Sequence, residues 1–179
     1  ASDVYKRQDK GSKEGIKKGM NVIAGSGLVG IVTDVGPNFA KVRSIIDDSS
    51  NVSSMVLTTK DNFNVGGSLK SMNQDKVLPF TELRDEDDKV KVGDPVVTSY
   101  VSDQYQEGIL IGYIASIEKN ANNLTKSGTI TPVVDFQHLR EVLVITTLKD
   151  TGEKELSSQK ASDTQTETQD NTETQKSQE

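Results

Sequence analysis

A short glycine-framed pattern occurs twice in this chain, and the repetition limits the folds open to it more than any other feature. Ile16-Lys-Lys-Gly19-Met-Asn-Val22-Ile23 returns as Val90-Lys-Val-Gly93-Asp-Pro-Val96-Val97. Gly30-Ile-Val32-Thr-Asp-Val35 returns as Gly112-Tyr-Ile114-Ala-Ser-Ile117, and Ile45-Ile46-Asp47 as Val133-Val134-Asp135. Three correspondences in one order predict two copies of one small unit. The second copy carries the longer excursion, 19 positions from Gly93 to Gly112 against 11 from Gly19 to Gly30.

Each copy reads as strands. Val22-Ile23, Leu28-Val29, Ile31-Val32, Ile45-Ile46 and Val56-Leu57 are short apolar runs broken by Gly, Asn-Ser and Asp pairs, and no window sustains a helical stripe. β-branched side chains, stiff at χ1 and well packed on a pleated surface, dominate them. The predicted fold is all-β, with two small six-stranded-type β-barrel subdomains packed together. Units of roughly 65 residues bury only about 60% of their surface and are marginal alone, so the two are expected to share an interface. The expected organisation is an approach segment over 1–18 and a first subdomain over 19–75, with return strands from the C-terminal part. A second subdomain over 76–148 and a disordered acidic tail over 149–179 follow. The structural turns fall to Gly19 and Gly93 ahead of the first strand of each copy, and to Gly27, Gly30, Gly108 and Gly112 where a small barrel turns its corner.

Composition locates the polar excess. Apolar residues make up 32% of the 179, below the ~45–50% of an ordinary domain. Much of the deficit lies in residues 151–179, whose only apolar side chains are Leu156 and Ala161 and which cannot bury a core. Taking this tail's seven acids and three lysines from the chain's 27 and 21 leaves 20 against 18, so the body is nearly neutral. A duplex-binding basic face is not expected. With no Cys and His138 as the single histidine, thiolate zinc sites, Cys nucleophiles, disulfides and multi-histidine metal sites are excluded, and no cofactor is expected. The longest apolar stretch, Ile109 to Ile117, is too short to span a bilayer.

Few motifs suggest chemistry. Gly25-Ser-Gly27-Leu-Val-Gly30 has the G-x-G-x-x-G form, but β-branched residues and Gly36-Pro37 follow it instead of a helix, so no dipole is available for a phosphate. Asp135 and His138 could pair a carboxylate with an imidazole, the basis of a rival reading as a β-barrel hydrolase or carbohydrate-processing enzyme. Against it, no G-x-S-x-G elbow is present, and His138 falls in a connection ahead of the strand Val142 to Thr146. Asp85-Glu-Asp-Asp88 lacks the alternation and glycine of a calcium loop and reads as a solvated turn. Phe39, Tyr100 and Tyr105, placed after a turn or in the long excursion, are the candidate partner contacts.

The ordered set Asp9-Lys-Gly-Ser-Lys-Glu-Gly15-Ile-Lys-Lys-Gly-Met20, Gly27-Leu-Val-Gly30, Val35-Gly36-Pro37-Asn38, Ala40-Lys-Val42, Val92-Gly93-Asp94, Val97-Thr-Ser99, Gly108 to Gly112, Val134-Asp135-Phe136 and Glu141-Val-Leu-Val144 resembles the extracytoplasmic β region of the bacterial rod shape-determining protein family MreC. The likeness runs over roughly residues 9–148. It implies two barrel-like subdomains behind a membrane helix and a dimerising coiled coil, in a non-enzymatic scaffold of cell-wall elongation at the outer face of the cell membrane. It also implies a class B penicillin-binding transpeptidase, MreD, RodA and MreB as partners, self-association, and no catalytic residue. Asp3-Val-Tyr-Lys-Arg-Gln8 reads as translated adapter sequence, so a native N-terminal region with the anchor is expected ahead of it.

Overall fold

The computed structural model describes residues 5–8 and 10–150; the tail expected over 149–179 lies outside them from Thr151 on. Eleven strands, one short α-helix and one 3-10 turn at Ser12–Glu14 are described: β1 Tyr5–Gln8, β2 Asn21–Ala24, β3 Gly27–Gly36, β4 Phe39–Ser44, β5 Asn51–Val56, β6 Asn62–Gly66, α1 Leu69–Asp75, β7 Leu78–Leu83, β8 Pro95–Thr98, β9 Leu110–Lys119, β10 Lys126–Pro132 and β11 Leu143–Ile145. The all-β expectation holds.

Six strands close a barrel. The order β9-β10-β7-β6-β5-β8 returns to β9, and each pairing is antiparallel. Alternation along the strands drives it: Val52 and Val56, Phe63 and Val65, Leu78 and Phe80 point inward and are buried, while Ser53, Asn64 and Pro79 face out. Phe63 and Phe80 meet edge to face at 5.0 Å in the interior. The helix α1, capped by Ser68 Oγ accepting from Ser71 N at 3.2 Å, lays Met72 against this core.

The remaining strands form an outer sheet in the order β1-β4-β3-β2-β11, joined to the barrel by the parallel pair Gly27 and Leu110. β11 returns from the far end of the chain to pair Leu143, Val144 and Ile145 with Ile23, Val22 and Asn21. β3 explains an anomaly in the sequence pattern. Leu28-Val29-Gly30-Ile31-Val32 is apolar without alternation because both faces are covered: Leu28 and Ile31 join the barrel core, and Val29 and Val32 join the outer cluster with Met20, Val22, Ala40 and Val42.

The two repeats superpose hydrogen bond for hydrogen bond. Gly19 N donates to Val32 O at 2.8 Å and Gly93 N to Ile114 O at 2.7 Å; Val32 N donates to Met20 O at 2.9 Å and Ile114 N to Asp94 O at 3.0 Å. Ile45 N bonds Val29 O just as Val133 N bonds Ile111 O. A Cβ on Gly30 would lie 2.1 Å from Arg43 O and one on Gly112 2.1 Å from Thr131 O, so both glycines are required by the closeness of the neighbouring strand.

Packing nevertheless does not divide at the expected boundary between 75 and 76. β5, β6 and α1 belong to the barrel, inserted between β8 and β7, and their apolar side chains fill its core. The repeated unit and the packed unit differ because each copy lends strands to a shared sheet.

Candidate functional site

The extra length of the second copy is a well-anchored loop over Ser99 to Gly108. Thr98 Oγ1 donates to Gln106 O at 2.5 Å and accepts from Ile109 N at 2.8 Å. Ser102 Oγ accepts from Gln104 N and Tyr105 N, and Ser99 Oγ bonds Asn62 Oδ1. The strongest restraint comes from the other copy: Asn21, 1% exposed, donates from Nδ2 to Gln104 O at 2.9 Å and accepts from Gln106 N at 2.7 Å on Oδ1. No sequence motif announces this clamp, since a polar residue at a core position of a strand is legible only once its partner is known.

This anchoring sorts the expected contacts. Tyr100 stands 54% exposed beside Val101 at 59%, with its hydroxyl 3.4 Å from Asn62 Nδ2. Phe39 opens β4, half-buried, with its ring against Gly36. Tyr105 has to be corrected. It is 2% exposed and part of the barrel core, and burial pushes its phenol up to about 12 against a weaker opposing pull from Arg43, so it packs the interior instead of meeting a partner. Gly19, Gly93 and Gly108 have positive φ and stand at turns, while Gly27 abuts Val133 and Val134 at the seam between sheets.

The acidic run is a second correction. Asp85 is buried, not solvated: its carboxylate accepts from Lys126 Nζ at 2.7 Å, Lys89 N at 2.8 Å and Val90 N at 3.1 Å. Asp88 completes the cluster, 2.5 Å from Lys126 Nζ and 3.0 Å from Lys119 Nζ. Burial works to raise the pKa of Asp85, but the Lys126 hydrogen bond and the two backbone donors outweigh it and hold the carboxyl below its ordinary range. Lys126 is raised in turn, its desolvation overcome by the two carboxylates. With Asp85 and Asp88 both paired to Lys126, the cluster is a clasp at the barrel rim.

Asp135 and His138 do meet, Oδ2 to Nδ1 at 2.7 Å, on an exposed turn ahead of β11. Their side chains are 65% and 77% exposed. The His138 hydrogen bond, aided by Gln137 N and His138 N and opposed by a little desolvation, lowers the pKa of Asp135. Among the described residues no hydroxyl bonds the imidazole, so the pair has the form of a capped turn without a nucleophile.

A closed barrel with a duplicated framework and a clamped loop is the geometry to be matched. Residues 7–146 match the family described as rod shape-determining protein MreC, barrel core. The chain belongs to the MreC family. It is similar to the cell shape-determining protein MreC of Listeria monocytogenes, 33% identical over 139 residues that make up 76% of this chain and 46% of that protein. MreC of Bacillus subtilis is 27% identical over 144 residues, 76% of this chain and 49% of the relative. The chain therefore spans about half the length of the MreC relatives it matches. A solved structure of Listeria MreC, 32% identical, aligns at a TM-score of 0.68 over 81% of this chain and 70% of that one. The same fold occurs, at 17% identity and a TM-score of 0.54 over 69% of this chain and 74% of that one, in a complex between penicillin-binding protein PBP2 and MreC from Helicobacter pylori.

Proposed function

We propose that this chain is the barrel portion of a non-enzymatic scaffold of cell-wall elongation, lying at the extracytoplasmic face of the cell membrane and holding a class B penicillin-binding transpeptidase in its working arrangement. The observation that carries the reading is the fold it shares with the MreC found in complex with PBP2. Rigidity supports it. A loop fixed from both sides by Asn21, Thr98 and Ser102 presents Tyr100 and Val101 without ordering cost, so binding energy remains to select one state of the partner. The proposal extends to MreD, RodA and MreB as further partners and to self-association, since the chain spans only about half the length of the MreC relatives it matches.

Titration of the cognate transpeptidase ectodomain onto immobilised chain tests it. Saturable capture is expected, weakened by Tyr100→Ala and unchanged by His138→Ala. No capture at concentrations well above micromolar would refute the partner claim, and peptidoglycan cleavage that disappears in His138→Ala would favour the enzyme instead.

A further inference from the structure

Asn21, Ile31 and Arg43 lie in direct cross-strand register on β2, β3 and β4, so their side chains share the sheet face that Ile31 turns to the barrel core. Two of the three are accounted for. Asn21 holds Gln104 and Gln106, the residues on either side of Tyr105, and Ile31 packs in the cluster that contains the Tyr105 ring. Arg43 has no such role. Its side chain makes no hydrogen bond and no ion pair among the described residues, and its Nε is the one buried side-chain nitrogen or oxygen among them without a partner. Buried polar groups are almost always paired, and an unpaired one on a charged group calls for an acceptor.

A second unspent donor stands on the same face. The Tyr105 ring is core, but its hydroxyl makes no hydrogen bond among the described residues. Burial raises the phenol pKa and the Arg43 charge opposes it, so the guanidinium and the hydroxyl are close enough to feel each other. The chain itself does not supply the missing acceptor. Asp47 is lowered chiefly by Ser49, whose N–H and hydroxyl both bond its Oδ1, and only last by the charge of Arg43, with which it forms no ion pair.

We infer that Arg43 and the Tyr105 hydroxyl form a receptor for a single carboxylate, the side-chain or terminal carboxylate of a peptide. A guanidinium presents its N–H groups as a planar fork that matches two carboxylate oxygens, and the phenol O–H can donate to one of them. Arg43 is partly exposed and no bond holds its side chain, so a small rotation about its torsions offers the Nε–H to a ligand arriving from solvent. A phosphate dianion is the poorer fit, because it brings a second negative charge where Asp47, and not a second cation, stands within reach of the Arg43 charge.

The test follows the arginine Nε–H signals of the full chain by nitrogen-15 NMR at low salt; there are four, from Arg7, Arg43, Arg84 and Arg140, each assigned by substitution. The probes are acetyl-Ala-Asp-Ala-amide for a side-chain carboxylate, acetyl-Ala-Ala for a terminal one, acetyl-Ala-Asn-Ala-amide as the neutral control, and sodium phosphate and chloride at matched ionic strength. A saturable shift at Arg43 is expected with an acid peptide by about 20 mM, where a site of about 5 mM affinity is mostly filled. The tighter of the two acids names the source of the carboxylate. Arg84, exposed at the barrel rim, should not follow it. Tyr105→Phe removes the hydroxyl alone and should weaken binding about tenfold while keeping the melting temperature, since no hydrogen bond within the chain is lost. Arg43→Lys keeps the charge without the fork and should weaken it at least about tenfold. No shift at Arg43, an equal shift with chloride or with the neutral peptide, tighter binding of phosphate, or an affinity unchanged in Tyr105→Phe would overturn the inference. It stands apart from the partner proposal: carboxylate binding without transpeptidase capture would keep this one and remove the other.

Discussion

Replacing Lys126 with methionine removes the cation from the rim clasp while keeping most of the side-chain volume. The Asp85 carboxylate, whose side chain is 1% exposed, is then left with only the Lys89 and Val90 N–H donors. Breaking a buried pair from one side costs about 3–5 kcal/mol when nothing compensates. Here the two backbone bonds persist and the lysine end is 11% exposed, which places the loss at about 2–3 kcal/mol. For a body of about 140 residues that lowers the melting temperature by roughly 8 °C. Urea denaturation followed by far-UV circular dichroism at pH 7 and again at pH 4.5 reads both the size and the cause. In the parent, the depressed Asp85 pKa contributes stability that is present above the unfolded value and lost only as pH falls through the folded one, below about pH 4. In Lys126→Met, burial is no longer opposed by the cation, so the carboxyl titrates higher and protonation relieves the penalty. The gap between variant and parent should therefore narrow from pH 7 to pH 4.5. A gap under about 1 kcal/mol at pH 7, or one equal at both pH values, would refute the account of Asp85 as a buried charge held by Lys126.

Asn21→Ala should cost about 2–3 kcal/mol in urea unfolding, because Gln104 O and Gln106 N lose their buried partner, and should raise amide exchange selectively in Ser99 to Gly108. Gly30→Ala and Gly112→Ala place a Cβ 2.1 Å from Arg43 O and Thr131 O, so each should destabilise by about 2 kcal/mol or more; a melting temperature matching the parent would count against the repeat geometry. Tyr105→Ala should cost about 3–5 kcal/mol as a core deletion, whereas Tyr100→Ala should stay within about 0.5 kcal/mol of the parent while losing binding.

Those contrasts show what the residues disclosed and what they withheld. Gly30 and Gly112 were legible because a glycine demanded by a close strand leaves a fixed offset to its neighbours, and the offset was copied. Tyr105 and Asp85 were not, because burial of an amphipathic or charged side chain depends on what crosses it: the Asn21 clamp folds the tyrosine inward, and Lys126, 41 positions downstream, reaches the aspartate. The partition of strands was hidden for a similar reason. A repeat in sequence marks equivalent hydrogen bonds, while membership of a core is decided by which strand edges are left to pair, and β5 and β6 fit only between β8 and β7. Of the candidate surface, Tyr100 was visible as an aromatic in a long excursion.

Shared strands also mean that the barrel is not a self-sufficient piece, although residues 45–132 contain all six of its strands. Leu28 at 0% and Ile31 at 7% exposure belong to the barrel core yet come from β3, and Asn21, which ties down the barrel's longest loop, comes from β2. Cutting the chain at 45 and 132 removes both apolar side chains from the core at about 1.5–3 kcal/mol each. The two clamp hydrogen bonds add about 1 kcal/mol apiece. The combined loss, about 5–8 kcal/mol, equals much of the total stability of a domain this size, so the fragment should be expanded, bind hydrophobic dye and melt without a sharp transition. Residues 10–150 should unfold in one cooperative step. A fragment of 45–132 that melts cooperatively within a few degrees of the longer piece would show that β2 and β3 are accessories to the barrel.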